Sequence, residues 1–371
     1  MIKAIDIFSG CGGVSKGLTM EGFQVVCAIE IESDAVSTFK SQKCFKKCTV
    51  LNKDIHDVSG TEIFEILDLK TNELYLLAGC PPCQKFSYQN RGRKLIPEEE
   101  RKELLFQFLR IIEEIKPPFI LMENVPGILS KDNKKILDEF IDRLRNRKNN
   151  YKIEYGILNA ADYGVPQSRK RFVLHAVRKD IDEILNQYGY DFKLPEASHS
   201  MDGADGNCKW RTVKDAIGDL PPLKAGQLYE DEAIKNHKSS NLSDKNINKM
   251  KKIRRGGGTR TCLPKEDVLP CHKKHSGHKD VYGIMDFNKP APTITGGCLS
   301  YSKGRFGHPI DNRAISIREA ARLQTFPDDF LFSNSTTKAG LQIGNAVPID
   351  LVRASAREIK KSIQLVEKNF Q

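Results

Sequence analysis

Leu76-Leu77-Ala78-Gly79-Cys80-Pro81-Pro82-Cys83-Gln84-Lys85-Phe86-Ser87 is the stretch on which the reading turns. Its apolar run has the length and composition of a buried strand and stops at a glycine. Two prolines then fix the backbone, and a cysteine follows directly. Ligands of α/β sheets bind beyond the carboxyl ends of the strands, so a thiol on a stiff turn there is placed as a nucleophile. Cys80 and Cys83 also make a Cys-x-x-Cys, as in a redox pair or half of a zinc site. Both could equally be inert buried thiols. This stretch alone leaves all three readings open.

Outward from it, short apolar runs alternate with helical patterns up to about residue 178. Strands are expected over 4–8, 24–29, 49–51, 74–78, 119–122, 153–158 and 172–177. Helices are expected over 14–21, 33–39, 61–69, 98–115 and 134–147. The pattern over 98–115 is the clearest, with Leu104, Phe108, Ile111 and Ile115 on one face. Such alternation predicts an α/β fold, a mostly parallel sheet with helices on both faces. From about 180 to 315 no helical period is sustained, as expected of a second, less regular domain inserted in the first. Order then returns. Ser316-Ile317-Arg318-Glu319 is a capping box, and Pro348 opens a last helix with Val352, Ala356, Ile359, Ile363 and Val366 on one face.

The chain of 371 residues carries a net charge of +11, which points to a polyanionic partner, nucleic acid first. Much of the excess lies between Lys249 and Lys279, where ten Lys or Arg face only Glu266 and Asp267, around Gly256-Gly257-Gly258. Such a segment is either a solvated loop or one that follows a phosphate backbone. No apolar run reaches the roughly 18 residues of a membrane span. The amino terminus reads as a strand and not as a signal peptide. A cytoplasmic protein is therefore expected, its ten cysteines reduced.

The strand ends collect chemistry. Phe8-Ser9-Gly10-Cys11-Gly12-Gly13 is a glycine turn feeding a helix, with Ser15 where a dinucleotide fingerprint has its third glycine. Glu30, about 20 residues on, is placed to bond ribose hydroxyls, and Asp54 to accept from an adenine amino group or merely to cap a helix. Glu123-Asn124 ends the fifth strand. An adenosine-bearing cofactor, a thiol and a carboxyl group together fit methylation of carbon 5 of cytosine. A thiolate adding to carbon 6 makes carbon 5 nucleophilic, and a carboxyl at ring nitrogen 3 stabilises the charge that develops. Cys271, His272, His275 and His278 follow no metal-ligand spacing, so no metal is expected.

Six blocks occur in order: Phe-Ser-Gly-Cys-Gly-Gly, Gly-Cys-Pro-Pro-Cys-Gln, Glu-Asn-Val, Gln-Ser-Arg-Lys-Arg, Arg-Glu-Ala-Ala-Arg-Leu-Gln-Thr-Phe-Pro and Gln-Ile-Gly-Asn-Ala-Val-Pro. Together they resemble the DNA (cytosine-5) methyltransferases, closest to the bacterial restriction–modification type. The resemblance implies a Rossmann-like S-adenosylmethionine-dependent methyltransferase sheet. Residues 1–180 would bind cofactor and catalyse, completed by 330–371, and 181–329 would be the target-recognition domain and hinge. Cys83 would be the covalent nucleophile, Glu123 would hold the base, and Asn124 would brace the loop around Cys83. Arg169 and Arg171 would contact the flipped base and nearby phosphate. Phe8, Gly10, Gly12, Glu30, Ile31, Asp54, Ile55, Pro82, Asn345 and Val347 would form the cofactor pocket. Leu105 would line it too, or be plain helix core. Cys80 falls at a variable position and reads as packing.

The same resemblance makes 84–101, with Gly92 among Arg91, Arg93 and Lys94, a loop that closes over DNA. Ser87, Arg91, Arg93, Gln167, Arg254, Arg255, Arg260 and Thr293 would meet DNA. Thr293-Ile294 departs mildly from the family's Thr-Leu pair. Double-stranded DNA is the implied partner, met by a monomer, with a cognate endonuclease acting on the same site where one exists. An RNA cytosine-5 methyltransferase of this fold and a non-catalytic DNA-binding relative are the competing readings.

Overall fold

The computed structural model describes residues 1–70, 73–82, 98–256, 258–264, 266, 268 and 280–368. Contacts divide the chain into two units, Met1–Asn159 with Lys170–Ala197 and Ile349–Gln371, and Ala160–Arg169 with Ser198–Pro348.

The first unit is built on β1 (Ile2–Ile7), β2 (Phe23–Ile29), β3 (Thr49–Leu51), β4 (Leu74–Gly79), β5 (Phe119–Asn124), β6 (Tyr151–Asn159) and β7 (Lys170–Arg178). They form one seven-stranded sheet in the order β3-β2-β1-β4-β5-β7-β6. The first five pair in parallel, and β7 runs antiparallel to both its neighbours. Ala4, Ile5 and Ile7 of β1 and Leu76, Leu77 and Ala78 of β4 are fully buried. That continuous burial is why these central strands read as nearly continuous apolar runs, broken in β1 by Lys3 and Asp6, since a parallel strand is covered on both faces.

The helices are α1 (Gly13–Met20), α2 (Ser33–Ser41), α3 (Gly60–Leu67), α4 (Glu98–Ile115), α5 (Lys134–Arg145), α6 (Lys179–Gln187), α7 (Val213–Ile217), α8 (Asp244–Arg255), α9 (Ile317–Leu323), α10 (Thr336–Asn345) and α11 (Ile349–Glu367). α4 packs between α3 and α5, while α11 packs on α1 and α6. Gly79 matters here: a Cβ on it would lie 2.5 Å from the Phe108 ring of α4. The strand therefore reaches the Pro81-Pro82 turn only with glycine at its end.

The second unit has little sheet. Met250 and Ile253 of α8 pack with Ile284, Tyr301 and Ala314, and Phe326, Phe330 and Phe332 form a ring cluster. Arg313 and Glu319 are buried together, joined by two bonds of 2.7 Å, and Glu319 closes the expected capping box with Ser316. α6, α7 and α8 contradict the expectation that no regular helix lies between 180 and 315. Their apolar faces are short: α6 buries only Leu185, and α8 only Lys249, Met250 and Ile253. The unit boundaries also differ from the expected ones. The second unit takes in 160–169 and runs to Pro348, because Gln167 and Arg169 bond to backbone between 294 and 346. Among the described residues no helix is long and apolar enough to cross a membrane.

Candidate active site

In the first unit, β1 ends in a turn that only unusual backbone angles allow: Phe8, Gly10 and Gly12 have φ of 59°, 56° and 100°. Gly12 opens α1, and a Cβ on it would press into the Phe45 and Phe39 rings at 2.7 and 2.9 Å. Glu30 closes the turn, accepting from Gly10 N at 2.8 Å and from Glu32 N at 2.9 Å. Ile31, next to it, is 57 % exposed, an apolar surface beside a fixed carboxylate. Asp54 accepts from His56 N at 3.0 Å and His56 Nδ1 at 2.6 Å, which holds its carboxyl below the usual range. Asp54 thus does cap the 3₁₀ turn Ile55–Asp57, and Ile55 is buried behind it.

Two residues of this region, Asp6 and Arg110, carry no functional signal of their own in the sequence reading. Asp6, on β1, is fully buried and accepts from Ser15 N at 3.1 Å and Ser15 Oγ at 2.6 Å, locking the start of α1 to the sheet. Burial drives its carboxyl up to about 7 against those bonds. The signal was Ser15 itself, a hydroxyl where the dinucleotide fingerprint has glycine. Arg110 of α4 donates to Ile55 O at 2.9 Å and Val58 O at 2.8 Å, and so holds the turn that presents Asp54. Leu105, on the same helix, lies in the main apolar core. That burial fits its reading as helix core, and as a wall of the cofactor pocket Leu105 is assigned only by its motif.

On the neighbouring strands, the antiparallel register sets Glu123 opposite Val173 and Asn124 opposite Phe172. Arg171 Nε then reaches Glu123 Oε1 at 2.8 Å, both side chains nine-tenths or nearly so covered. Buried Asn124 donates to Pro81 O at 3.2 Å and accepts from Val125 N at 2.8 Å. It therefore ties β5 to the proline turn that immediately precedes Cys83. Pro82 is exposed. Cys83, Ser87, Arg91 and Arg93, with the rest of 83–97, lie outside the described residues, as do 271–279.

In the second unit several expected DNA contacts are buried instead. Gln167 is fully buried: Nε2 donates to Leu323 O at 3.0 Å and Gln324 Oε1 at 2.8 Å, and Oε1 accepts from Ile294 N at 2.8 Å. Arg169 is 2 % exposed and spends its guanidinium on Ile294 O, Gly344 O and Ala346 O. Arg254 donates to Pro309 O, His308 O and Asp311 O, and Arg260 is buried. Gln167, Arg169 and Arg254 thus give their polar atoms to partners within the second unit and Arg260 is buried, where the sequence predicts all four at DNA; a charge or an amide is visible in sequence, the groups that absorb it are not. Arg255 is exposed at the end of α8. Thr293 is half-buried, its hydroxyl donating to Ser168 O at 2.9 Å. Asn345 is exposed and Val347 buried.

The family model of C-5 cytosine-specific DNA methylases matches residues 2–361. The chain belongs to this family. It is 35 % identical over 367 residues to the Type II methylase M.HgiDII of Herpetosiphon aurantiacus, covering 97 % of this chain and 95 % of that one. The Type II methyltransferase M1.HphI of Haemophilus parahaemolyticus is 33 % identical, over 96 % of this chain and 86 % of its own. These relatives make the protein a DNA (cytosine-5) methyltransferase of the bacterial restriction–modification type. A solved putative DNA modification methyltransferase from an Escherichia coli prophage superposes with a TM-score of 0.67 at 24 % identity, covering 98 % of this chain and all of that one. Schizosaccharomyces pombe Dnmt2 methyltransferase gives 0.59 at 17 %, covering 99 % of each chain, and both likenesses speak for the fold alone.

Proposed function

We propose that the protein methylates carbon 5 of a cytosine within one short sequence of double-stranded DNA, using S-adenosylmethionine, base flipping and covalent addition of Cys83. The observation that carries this reading is the Glu123–Arg171 pair beside a proline turn that Asn124 holds, one residue short of Cys83. The Cys83 thiolate forms a bond to carbon 6, and the ring gains negative charge. Glu123 carries a proton to ring nitrogen 3, Arg171 stands beside it to balance the charge, and both act where water is excluded. Carbon 5, made nucleophilic by that addition, would take the methyl group that the donor supplies; loss of the carbon 5 proton to water, return of the nitrogen 3 proton to Glu123 and elimination of the thiolate then release the methylated base. A base can enter such a site only out of the stack; of the expected 84–101 loop, 98–101 open α4 instead, and 84–97 are assigned to DNA.

The donor is assigned to Phe8, Gly10, Gly12, Glu30, Ile31, Asp54, Ile55 and Pro82, and from their motif alone to Asn345 and Val347. The fit rests on Glu30: a carboxylate fixed by two backbone N–H groups beside an exposed apolar side chain suits a ribose and its base. S-adenosylmethionine, when bound, supplies an electrophilic methyl group and departs as S-adenosylhomocysteine. Ser87, Arg91, Arg93, Arg255 and Thr293 are assigned to DNA. One flipped base needs one active site, so a monomer suffices. A cognate endonuclease would cut the same site, and both would act in the cytoplasm.

Bisulfite sequencing of plasmid from cells expressing the protein tests the reading. Protected cytosines at one recurring motif are expected; none, with soluble protein that binds S-adenosylmethionine, would refute it and direct the search to RNA. A Glu30→Ala variant should bind S-adenosylhomocysteine about 10-fold or more weakly in calorimetry, since bonds to a charged group are worth about 1.5–3 kcal/mol. Unchanged affinity would remove Glu30 from the donor site. Glu123→Gln keeps the shape but cannot pass the proton, so single-turnover methyl transfer should fall about 100-fold. A loss below about threefold would leave Glu123 without its role.

A further inference from the structure

Within the second unit, the segment carrying Thr293 and the segment carrying Asn345 cross almost backbone to backbone. A Cβ on Gly344 would lie 2.0 Å from the carbonyl carbon of Thr295. Three buried side chains bind that crossing. Gln167 accepts from Ile294 N, Arg169 Nη1 donates to Ile294 O at 2.5 Å, and Arg169 Nη2 donates to Gly344 O at 3.0 Å and Ala346 O at 3.1 Å. Gln324 donates to Ile343 O at 2.6 Å and again to Ala346 O at 3.2 Å. The carbonyls on either side of Asn345 are therefore held by the same guanidinium that holds the residue after Thr293.

We infer that Arg169 is a positioning residue, whose buried fork locks the Thr293 segment to the Asn345 segment, and is not a contact to the base or a phosphate. This rests on the proposed assignment of Thr293 to the target side and Asn345 to the donor side. A planar fork suits the task because it serves several fixed carbonyls at once, which an ammonium on a flexible stem does not. Placement errors of about 1 Å cost about 100-fold in rate, so the lock sets turnover while leaving the attraction to DNA alone. A cation that neutralises a phosphate has the opposite signature: its removal flattens the salt dependence of DNA binding by about 0.9 in log–log slope.

The test compares the wild type with Arg169→Gln and Arg169→Lys. Arg169→Gln is expected to lower kcat about 10- to 100-fold, with affinity for a random-sequence duplex and its salt slope unchanged. Arg169→Lys restores the charge without the fork and should stay as slow. Hydrogen exchange should quicken at 291–297 and 343–347 and hold steady in 308–319. A slope lowered by one phosphate, or full recovery with lysine, overturns the inference; so does exchange that quickens across the whole unit, which marks a general stability role. Where neither variant folds, Gln324→Met loosens the same crossing from its other side: faster exchange at 343–347 and slower turnover support the lock, and wild-type behaviour in both refutes it. A wild type that methylates no DNA defeats the proposed function, while the exchange pattern and salt slope still decide whether Arg169 is a lock.

Discussion

A Cys83→Ser variant is expected to transfer no methyl group while binding DNA and S-adenosylhomocysteine as the wild type does. Thiol and hydroxyl differ little in size, so the substitution removes reactivity and leaves shape. A free thiol, with a pKa of about 8.5, is a few per cent thiolate at neutral pH. A serine hydroxyl has no comparable anionic fraction and needs a base beside it. Cys80 provides the control. Its backbone N donates to Ile7 O at 3.3 Å, which fixes the main chain whatever the side chain. Cys80→Ser should therefore retain methyl transfer, whereas a redox pair or a zinc half-site would need both sulfurs. Tritium transfer from labelled donor to plasmid DNA decides between them. Activity of Cys83→Ser within tenfold of the wild type would end the covalent mechanism, and loss in Cys80→Ser alone would move the nucleophile to Cys80.

The contrast between those two cysteines also shows what a sequence makes legible. Strands β1, β4 and β5 announce themselves because a parallel strand covered on both faces is apolar at most positions. α4 does so because Leu105, Phe108, Ile111, Ile112 and Ile115 all enter one core. Glu30, Glu123 and Asn124 were picked out for a related reason: ligands of such sheets bind beyond the strand ends, so finding the strands finds the candidates on which the proposed site rests. Where several buried positions are glycine or amide, the period fades. α10 carries Gly340 and Gly344, and Gly344 is there to let Thr295 pass, so spacing alone gave no hint of a helix. The partners of Arg169 and Arg254 stayed hidden for a different reason. Their fate depends on carbonyls that lie roughly 55 to 177 residues away in the chain, and charge or local pattern carries no trace of such partners. Asp6 sits between these cases. It occupies a strand that was correctly placed, yet its meaning needed Ser15 across the turn.

Glu319→Gln should destabilise the second unit by about 3–5 kcal/mol, the range for leaving a buried ion pair half-broken. Glu319 and Arg313 are each 1 % exposed and share two 2.7 Å bonds. Glutamine keeps one acceptor for Ser316 N, so the capping box survives, but its amide N–H2 cannot accept from Arg313 Nη2, so one of the two bonds goes with the charge. Asp311, 2.9 Å from Arg313, recovers part of it and places the expectation near the lower end. Burial by itself raises the Glu319 pKa, but the bonds and charge of Arg313, with His308 and the Ser316 N–H, outweigh it and bring the pKa down to about 2. A carboxyl depressed on folding contributes stability that is complete above its unfolded pKa, about 4.3, and lost as pH falls through the folded value. The gap in urea midpoint between wild type and Glu319→Gln should therefore be full at pH 6 and narrow steadily between about pH 4 and pH 2. A gap that stays constant over that interval would mean that the pair's charge contributes nothing to folding. Replacing Arg313 and Glu319 together by Met and Leu gives a second reading, because it removes both fully buried charges and leaves only the partly exposed Asp311, which keeps its bond from Leu223 N. It should cost less than Glu319→Gln alone, and a larger cost would show that the pair is valued for its hydrogen bonds to the Ser316 turn and not as a balanced buried charge.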